Sequence, residues 1–402
     1  MVAPPDDSRG GKGSSPYAVP AGCGLKMPYN WDFDLLAKLG EINRDPRTKY
    51  PIIEVFAAKK FSILGSGRTA STTYDMTRSL KKYVEEAHRH GIRFEYLWNA
   101  ITIGGKEWDT DFQDQLYLEA QALVEAGVDG LTITNPLLCM KMKSWFPELK
   151  VSSSVNNHLD SVERIQQAID YLGIDRLMLD NRYTRSFAFI SEVHKAFPDH
   201  PIIVLVNEAC LPECVLQAYH QEHTANASRC NNDDYDAPDL CRILCTQRKL
   251  QQPVYTLKAP WVRPEDLHHV FAAGATLIKL AGRTEFSEWM VKLGRAYAFG
   301  RFEGDIWELI EKPGSVRPEW DEIVKKKVNH SRFQVDNQQL EGFIEPFVKG
   351  TVPCVQGFKG CGSCRWCENW MHAVTLPTNM EERLQEVATI LEDARKGKGQ
   401  AP

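Results

Sequence analysis

The chain has 402 residues, of which 43% are hydrophobic and 25% charged, with a formal net charge of −5. That apolar share suffices for a large core, and the mild acidity argues against a wide nucleic-acid footprint, which relies on dense Lys and Arg. No apolar run reaches the length a membrane-spanning helix needs, and the first residues lack the apolar stretch of a secretory signal, so a cytoplasmic protein is expected.

Residues 1–26 are rich in Pro, Gly and Ser and are expected to form a disordered tail. Residues 52–56 read as a first strand, followed by a helix presenting Met76, Leu80, Val84 and Ala87 on one face and ending at Gly91. Phe94, Tyr96 and Trp98 recur at every second position, as in a second strand; a helix from about Asp111 is then expected to bury Phe112, Leu116, Leu123 and Val124. Strands over 130–134 and 150–154 flank a short helix at 137–145. A further helix, capped by Asp160 or Ser161 and closed by Gly173, leads to a strand at 176–179. The next helix carries Phe187, Ile190, Val193 and Phe197, and a sixth strand follows at 202–206. Residues 253–257 and 276–280 complete a set of eight strands.

Strands alternating with helices imply an α/β protein, a (β/α)8 TIM-type barrel, with an open doubly wound sheet as the rival. The expected division is a tail over 1–26, the barrel over 27–300, a cysteine-rich metal-binding appendix over 301–378, and a C-terminal helix and tail over 379–402.

Eleven cysteines in a reducing compartment point to metal rather than disulfides. Cys354-x6-Cys361-x2-Cys364-x2-Cys367 is the sharpest pattern, because tight Cys-x2-Cys steps let thiolates curl around one centre. A 4Fe–4S cluster is favoured there, with structural zinc possible; zinc more often takes two separated pairs. The second set is Cys210, Cys214, Cys230, Cys241 and Cys245. It follows no standard spacing, yet Cys210 and Cys214 come directly after the sixth strand, at the end where α/β folds keep their sites. Buried apolar thiols are the plain alternative.

Polar residues fall at the same strand ends: Asn99, Asn135, Asn157, Asp180, Arg182, Asn207, Glu208, His220 and His223. Singly, each is more often a helix cap than a catalyst; together they mark a rim. Lys279 is expected to point into the barrel, where burial lowers a lysine pKa, or to pair with Glu208 or Asp180.

Asn207-Glu-x2-Cys210-x3-Cys214-x5-His220 resembles the collagenase-like peptidase U-thirty-two family. So do residues 127–136, residues 259–266 and Lys279-Leu-Ala-Gly-Arg283. The resemblance covers about residues 30–300. It implies a barrel whose cysteines hold a 4Fe–4S cluster beside the substrate pocket, a role carried here to Cys210, Cys214 and Cys245, with Cys241 and Cys230 as further candidates. Several members of that family look like iron–sulfur proteins of oxygen-independent hydroxylation. The terminal cysteines depart from simpler relatives and suggest a second cluster.

The expected function is therefore iron–sulfur redox chemistry, with hydroxylation of a small-molecule or carrier- or peptide-bound substrate. An electron-donor protein is a candidate partner, and nucleic acid is less favoured. In this scheme Asn207, Glu208 and His220 orient substrate or move protons, while Arg182 and Lys279 hold a carboxylate or phosphate. Three alternatives stand beside it: a peptidase, RNA base hydroxylation, and a non-catalytic iron–sulfur scaffold. The chain contains neither a Gly-x-Ser-x-Gly elbow nor a His-Glu-x2-His helix, which weakens the first of these.

Overall fold

A computed structural model describes residues 22–59, 62–66, 79–229, 240–312, 333–356 and 361–396. Eight short parallel strands form its centre: β1 (Gly24–Pro28), β2 (Ile52–Ala57), β3 (Arg93–Trp98), β4 (Gly130–Ile133), β5 (Lys150–Ser153), β6 (Leu177–Met178), β7 (Ile202–Leu205) and β8 (Leu277–Lys279). They pair in the order β5-β4-β3-β2-β1-β8-β7-β6. The two outer strands then meet through parallel bridges Ser152↔Arg176 and Leu159↔Leu179, which close the sheet into a barrel. The expected (β/α)8 fold is present.

Two expectations about its strands are corrected. Residues 253–257 do not form a strand; Tyr255–Lys258 is a turn of helix. The place is taken by Gly24–Pro28, partly within the expected tail, and it sits between β2 and β8. Val254, Tyr255 and Thr256 favour strands intrinsically, but local propensity yields to context. The part of the tail over 1–21, Met76 and Cys230 lie outside the described residues.

Helices α1 (Phe33–Arg44), α2 (Leu80–Arg89), α3 (Thr110–Glu125), α4 (Pro136–Trp145), α5 (Val162–Leu172) and α6 (Phe187–Ala196) follow β1 to β6 in turn. Between β7 and β8 the chain inserts α7 (Gln217–Arg229), α8 (Leu240–Gln251) and α9 (Tyr255–Lys258) before α10 (Leu267–Ala272). Helix α11 (Ser287–Phe299) follows β8. The second cysteine set therefore belongs to an insertion rooted at the carboxyl end of β7.

Strand residues facing outward pack under the helices in one large apolar cluster that includes Leu25, Met27, Val55, Phe94, Tyr96, Leu131 and Ile278. The inward face differs, because part of it is ionic. Lys26 Nζ lies 2.9 Å from Glu54 Oε1 and also contacts Glu95, with all these side chains fully buried. Arg176 reaches Glu54 at 2.6 Å and Glu95 at 3.1 Å. Burial alone would raise the Glu54 carboxyl; Lys26 and Arg176 outweigh it and bring it down to about 2. Gly130 makes room for this network, since a Cβ there would collide with the Arg176 guanidinium.

After residue 300 the chain folds back against the barrel. A two-stranded ribbon, β9 (Gln334–Val335) with β10 (Val374–Thr375), anchors the appendix. Arg263 donates to Asn337 O at 3.0 Å, and Ser186 Oγ to Val355 O at 2.6 Å. The terminal helix Met380–Arg395 packs on α8. Phe343, Phe347 and Val352 join the barrel's apolar cluster, so the appendix shares the barrel core.

Candidate functional site at the carboxyl mouth of the barrel

Because all eight strands run the same way, Asn99, Asn135, Asp180 and Glu208 follow strands on one rim, as expected. Their local roles differ. Asn135 caps α4 by accepting from Leu138 N, and Asn157 accepts from Ser154 N at 2.7 Å within a capping box. Asn207 is fully buried: it donates to Ala281 O (3.0 Å) and Leu309 O (3.3 Å) and accepts from Ala281 N (2.6 Å). Its amide thus stitches β7 to the chain beyond β8 and holds Glu208 in place.

Inside the mouth stands Lys279. Its ammonium lies 4.5 Å from the centre of the Phe56 ring. Burial lowers it to about 8, and the neighbouring Arg283 adds to the effect. It retains some accessible surface despite its depth, as a group lining an internal space does. Glu208 pairs with Lys312 at 3.1 Å, its other oxygen accepts from Cys210 Sγ at 3.4 Å, and its charge also reaches Lys279. Arg283 donates to Ser66 Oγ at 2.6 Å. Lys279, Arg283 and Lys312 therefore bring three cations to the ends of β7 and β8.

Across the mouth, His158 Nδ1 is 2.7 Å from Asp180 Oδ2, and its Nε2 is 2.9 Å from Gln221 Oε1 on α7. Burial would raise Asp180, but hydrogen bonds from His158 and Arg182 hold it at about 2. The Asp180 hydrogen bond in turn raises His158. Arg182 bonds Asp180 and Asp160, so acids of the chain itself already engage it. Helix α7 continues to the opposite side, where Ser228 Oγ accepts from Ser66 N at 2.8 Å. Gln221, Ala225 and Ser228 share one helical face, and Ala225 is fully buried. Helix α7 thus spans the mouth as a cover. His220 and His223 ride on it half-buried, with His223 stacked on Tyr219.

The barrel thiols are partly assembled. Cys241 and Cys245 lie one turn apart on α8, and Cys214 is close enough to Cys245 and Lys249 to feel their charge. Burial raises the Cys214 thiol. The terminal set is more compact: Cys354 is influenced by Cys361 and Cys364, Cys361 by Cys364, and Cys367 by Cys354 and Cys361. Burial pushes Cys354 up to about 11 and Cys367 up to about 12. Arg185 and Lys258 supply the nearby positive charge. Among the described residues, no three Cys, His, Asp or Glu side chains are gathered as a finished metal shell. Four thiols beside two cations nevertheless form a donor set whose chemistry suits a thiolate-bound metal.

No local sequence pattern marks His158 or Lys312. His158 has a left-handed backbone (φ 49), a rare conformation outside glycine that clusters at functional sites. Arg283 was visible only as part of a family-like fragment. Lys312 follows the barrel by too many residues for any local pattern to place it.

A closed parallel barrel with cations and thiols at its carboxyl mouth, covered by an inserted helix, defines a (β/α)8 protein of the kind that carries its site on strand ends. The chain belongs to Peptidase family U32, whose model matches residues 55–335. It is 26% identical over 334 residues to the uncharacterized protease MJ1657 of Methanocaldococcus jannaschii, covering 82% of this chain and 90% of that protein. It is 27% identical over 161 residues to tRNA hydroxylation protein P of Escherichia coli, which is 38% of this chain and 33% of that protein. Among solved structures, the U32 peptidase Mk0906 aligns with a TM-score of 0.43 at 15% identity, covering 60% of this chain and 88% of that one. Among the described residues, no helix is long and apolar enough to cross a membrane.

Proposed function

We propose that this chain is an iron–sulfur-dependent redox enzyme that hydroxylates, or inserts a related atom into, a substrate held at the barrel mouth, the inserted atom coming from a co-substrate that carries it and leaves reduced by two electrons. The observation that carries the reading is the meeting of thiol, carboxylate and cations at one strand end: Cys210 on Glu208, Glu208 on Lys312, with Lys279 at the end of the adjoining β8 and Arg283 just beyond it. Similarity to a hydroxylation protein supports the reaction class. Cys210, Cys214, Cys245 and either Cys241 or Cys230 would hold a 4Fe–4S cluster, which supplies one-electron chemistry when bound.

The chain's own residues then divide the remaining work. Lys279 and Arg283 fix a carboxylate or phosphate of substrate or co-substrate. Glu208, kept in reach by Asn207, accepts or returns a proton, and His220 assists from α7. The cover formed by α7 keeps bulk water from the mouth. Arg182 serves by orienting Asp180 and His158.

A small molecule, or a group on a carrier or peptide, suits a covered mouth. A peptidase is the alternative attached to the family description, but a thiol raised by burial, as Cys214 is, makes a poor nucleophile. The test is anaerobic purification with iron and sulfide counted per chain, followed by mass spectrometry for a gained oxygen on candidate small molecules and on tRNA. Iron at the barrel cysteines with oxygen gain on either substrate supports the proposal, and tRNA as the recipient would identify the RNA branch. Peptide hydrolysis by iron-free protein overturns it.

A further inference from the structure

Arg185, in the turn between β6 and α6, is an unusual arginine. It is only 6% exposed. Its guanidinium carbon lies 4.8 Å from the Phe347 ring centre, 5.3 Å from Trp261 and 5.4 Å from Phe343. Nη2 donates to the carbonyls of Leu257 (3.0 Å) and Ala259. Nη1 is buried without a hydrogen-bond partner. Among the described residues, the negatively ionisable groups near enough to act on it are thiols, those of Cys367, Cys354 and Cys361.

A guanidinium keeps its proton at any physiological pH, and a buried cation needs a counter-charge. Aromatic faces and two carbonyls offset part of the cost but carry no net charge. Neutral thiols add none either. Thiolates on a metal do: four of them around Zn2+ or a 4Fe–4S core leave a net charge of about −2.

We propose that Cys354, Cys361, Cys364 and Cys367 hold a thiolate-bound metal centre of net negative charge, and that Arg185 is its buried counter-ion and positioning residue. The unpartnered Nη1 is the donor this centre's sulfur atoms take up. Arg185 also ties the centre to the barrel rim: it holds Ala259, and two residues on, Trp261 bridges to Asn207. Lys258, paired with Glu368 at 2.9 Å, is a secondary charge at the same nest.

The test uses the full chain, purified anaerobically, as wild type, Cys364→Ser, Arg185→Met and Arg185→Lys. Iron, zinc and acid-labile sulfide are counted per chain, metal release to a chelator is timed, and thermal unfolding is followed before and after stripping. Wild type is expected to carry metal that Cys364→Ser lacks, iron with sulfide marking a cluster and zinc alone a structural site. Arg185→Met should release that same metal roughly tenfold or more faster, the scale of a lost outer partner, while Arg185→Lys falls between. Stripping should lower the wild-type midpoint more than that of Arg185→Met, since only wild type is left with an uncompensated buried cation. Should Arg185→Met fail to fold, the release rate of Arg185→Lys and the wild-type stripping effect decide. Three results overturn the proposal: no Cys364-dependent metal in wild type, wild-type release from a folded Arg185 variant, or an unchanged midpoint on stripping. Wild type, Cys364→Ser and the Arg185 variants all keep Cys210 and Cys214, so the terminal centre is read as the difference between wild type and Cys364→Ser, and its outcome is separate from that of the proposed reaction.

Discussion

His158 Nδ1 and Asp180 Oδ2 stand 2.7 Å apart across the gap between β5 and β6, with Arg182 on the far side of the same carboxylate. The pair makes stability depend on pH in a defined direction. His158 is raised, so its contribution is complete below the ordinary histidine value of about 6.5 and fades as pH climbs through the raised value. Asp180 is lowered to about 2, so its contribution is complete above the ordinary carboxylate range and fades as pH falls toward about 2. Asp180→Asn should cost about 2 kcal/mol near pH 6, read as a shift in the urea midpoint. The gap between wild type and His158→Gln should narrow from pH 6 to pH 9; a constant gap would remove the pair from the account.

The Lys279 ammonium, lowered to about 8 by burial, sets a second pH window. An anion bound there should be held less tightly as pH rises past about 8. Lys279→Met should weaken binding about tenfold to a hundredfold and flatten that profile. Calorimetric titration with inorganic phosphate and with an aromatic carboxylate reads both. Folding stability carries the opposite sign: between about 8 and the ordinary lysine value of about 10.4 it should rise with pH, because the unfolded chain binds the extra proton.

Under the proposed iron–sulfur reading, replacing Cys210 or Cys214 with alanine should abolish turnover and remove the iron bound at the barrel together. His220→Ala should instead slow turnover by about a hundredfold while iron stays in place, as befits a group that moves protons rather than one that binds metal. Metal analysis beside product formation separates these patterns. Under a peptidase mechanism a single thiol would be essential and iron dispensable.

The ionic part of the barrel interior yields a stability prediction with two arms. Lys26→Met strands Glu54 and Glu95 with fewer counter-charges and should cost about 3–5 kcal/mol in denaturant unfolding. Replacing Lys26, Glu54 and Glu95 together with apolar residues of similar volume should cost much less, because no charge is then left alone. Equal losses in both would show that packing, not charge, governs the site.

Most of the barrel was legible because buried parallel strands are short apolar runs bounded by turn residues, as in 202–205. β1 was not legible. It is five residues long, follows a Gly- and Pro-rich stretch, and carries Lys26 at its centre. Only Glu54 and Glu95, distant in sequence, make that lysine acceptable inside a barrel. The 253–257 segment failed for the converse reason: its residue types favour strands, while the ordering of the insertion makes them helical. At the site, cysteine spacing and strand-end position carried the signal. The division of labour among rim residues did not show, since whether Asn135 caps a helix or meets a substrate depends on hydrogen bonds that no local pattern encodes.

The closure of the barrel has a mechanical consequence. Seven of its joins are continuous ladders, whereas β5 and β6 are joined by isolated bridges at Ser152↔Arg176 and Leu159↔Leu179 with a few flanking bonds such as Ser153 N to Arg176 O at 3.0 Å. The sheet is in effect a split ring, and His158 with Asp180 is the clasp set just above the split. Thermal opening will begin at the clasp, so backbone amides beside it exchange with solvent sooner than those of β1 and β2. A ligand that grips His158 or Gln221 would tighten the ring from its mouth, and occupancy of the site would be felt as stiffness throughout the fold.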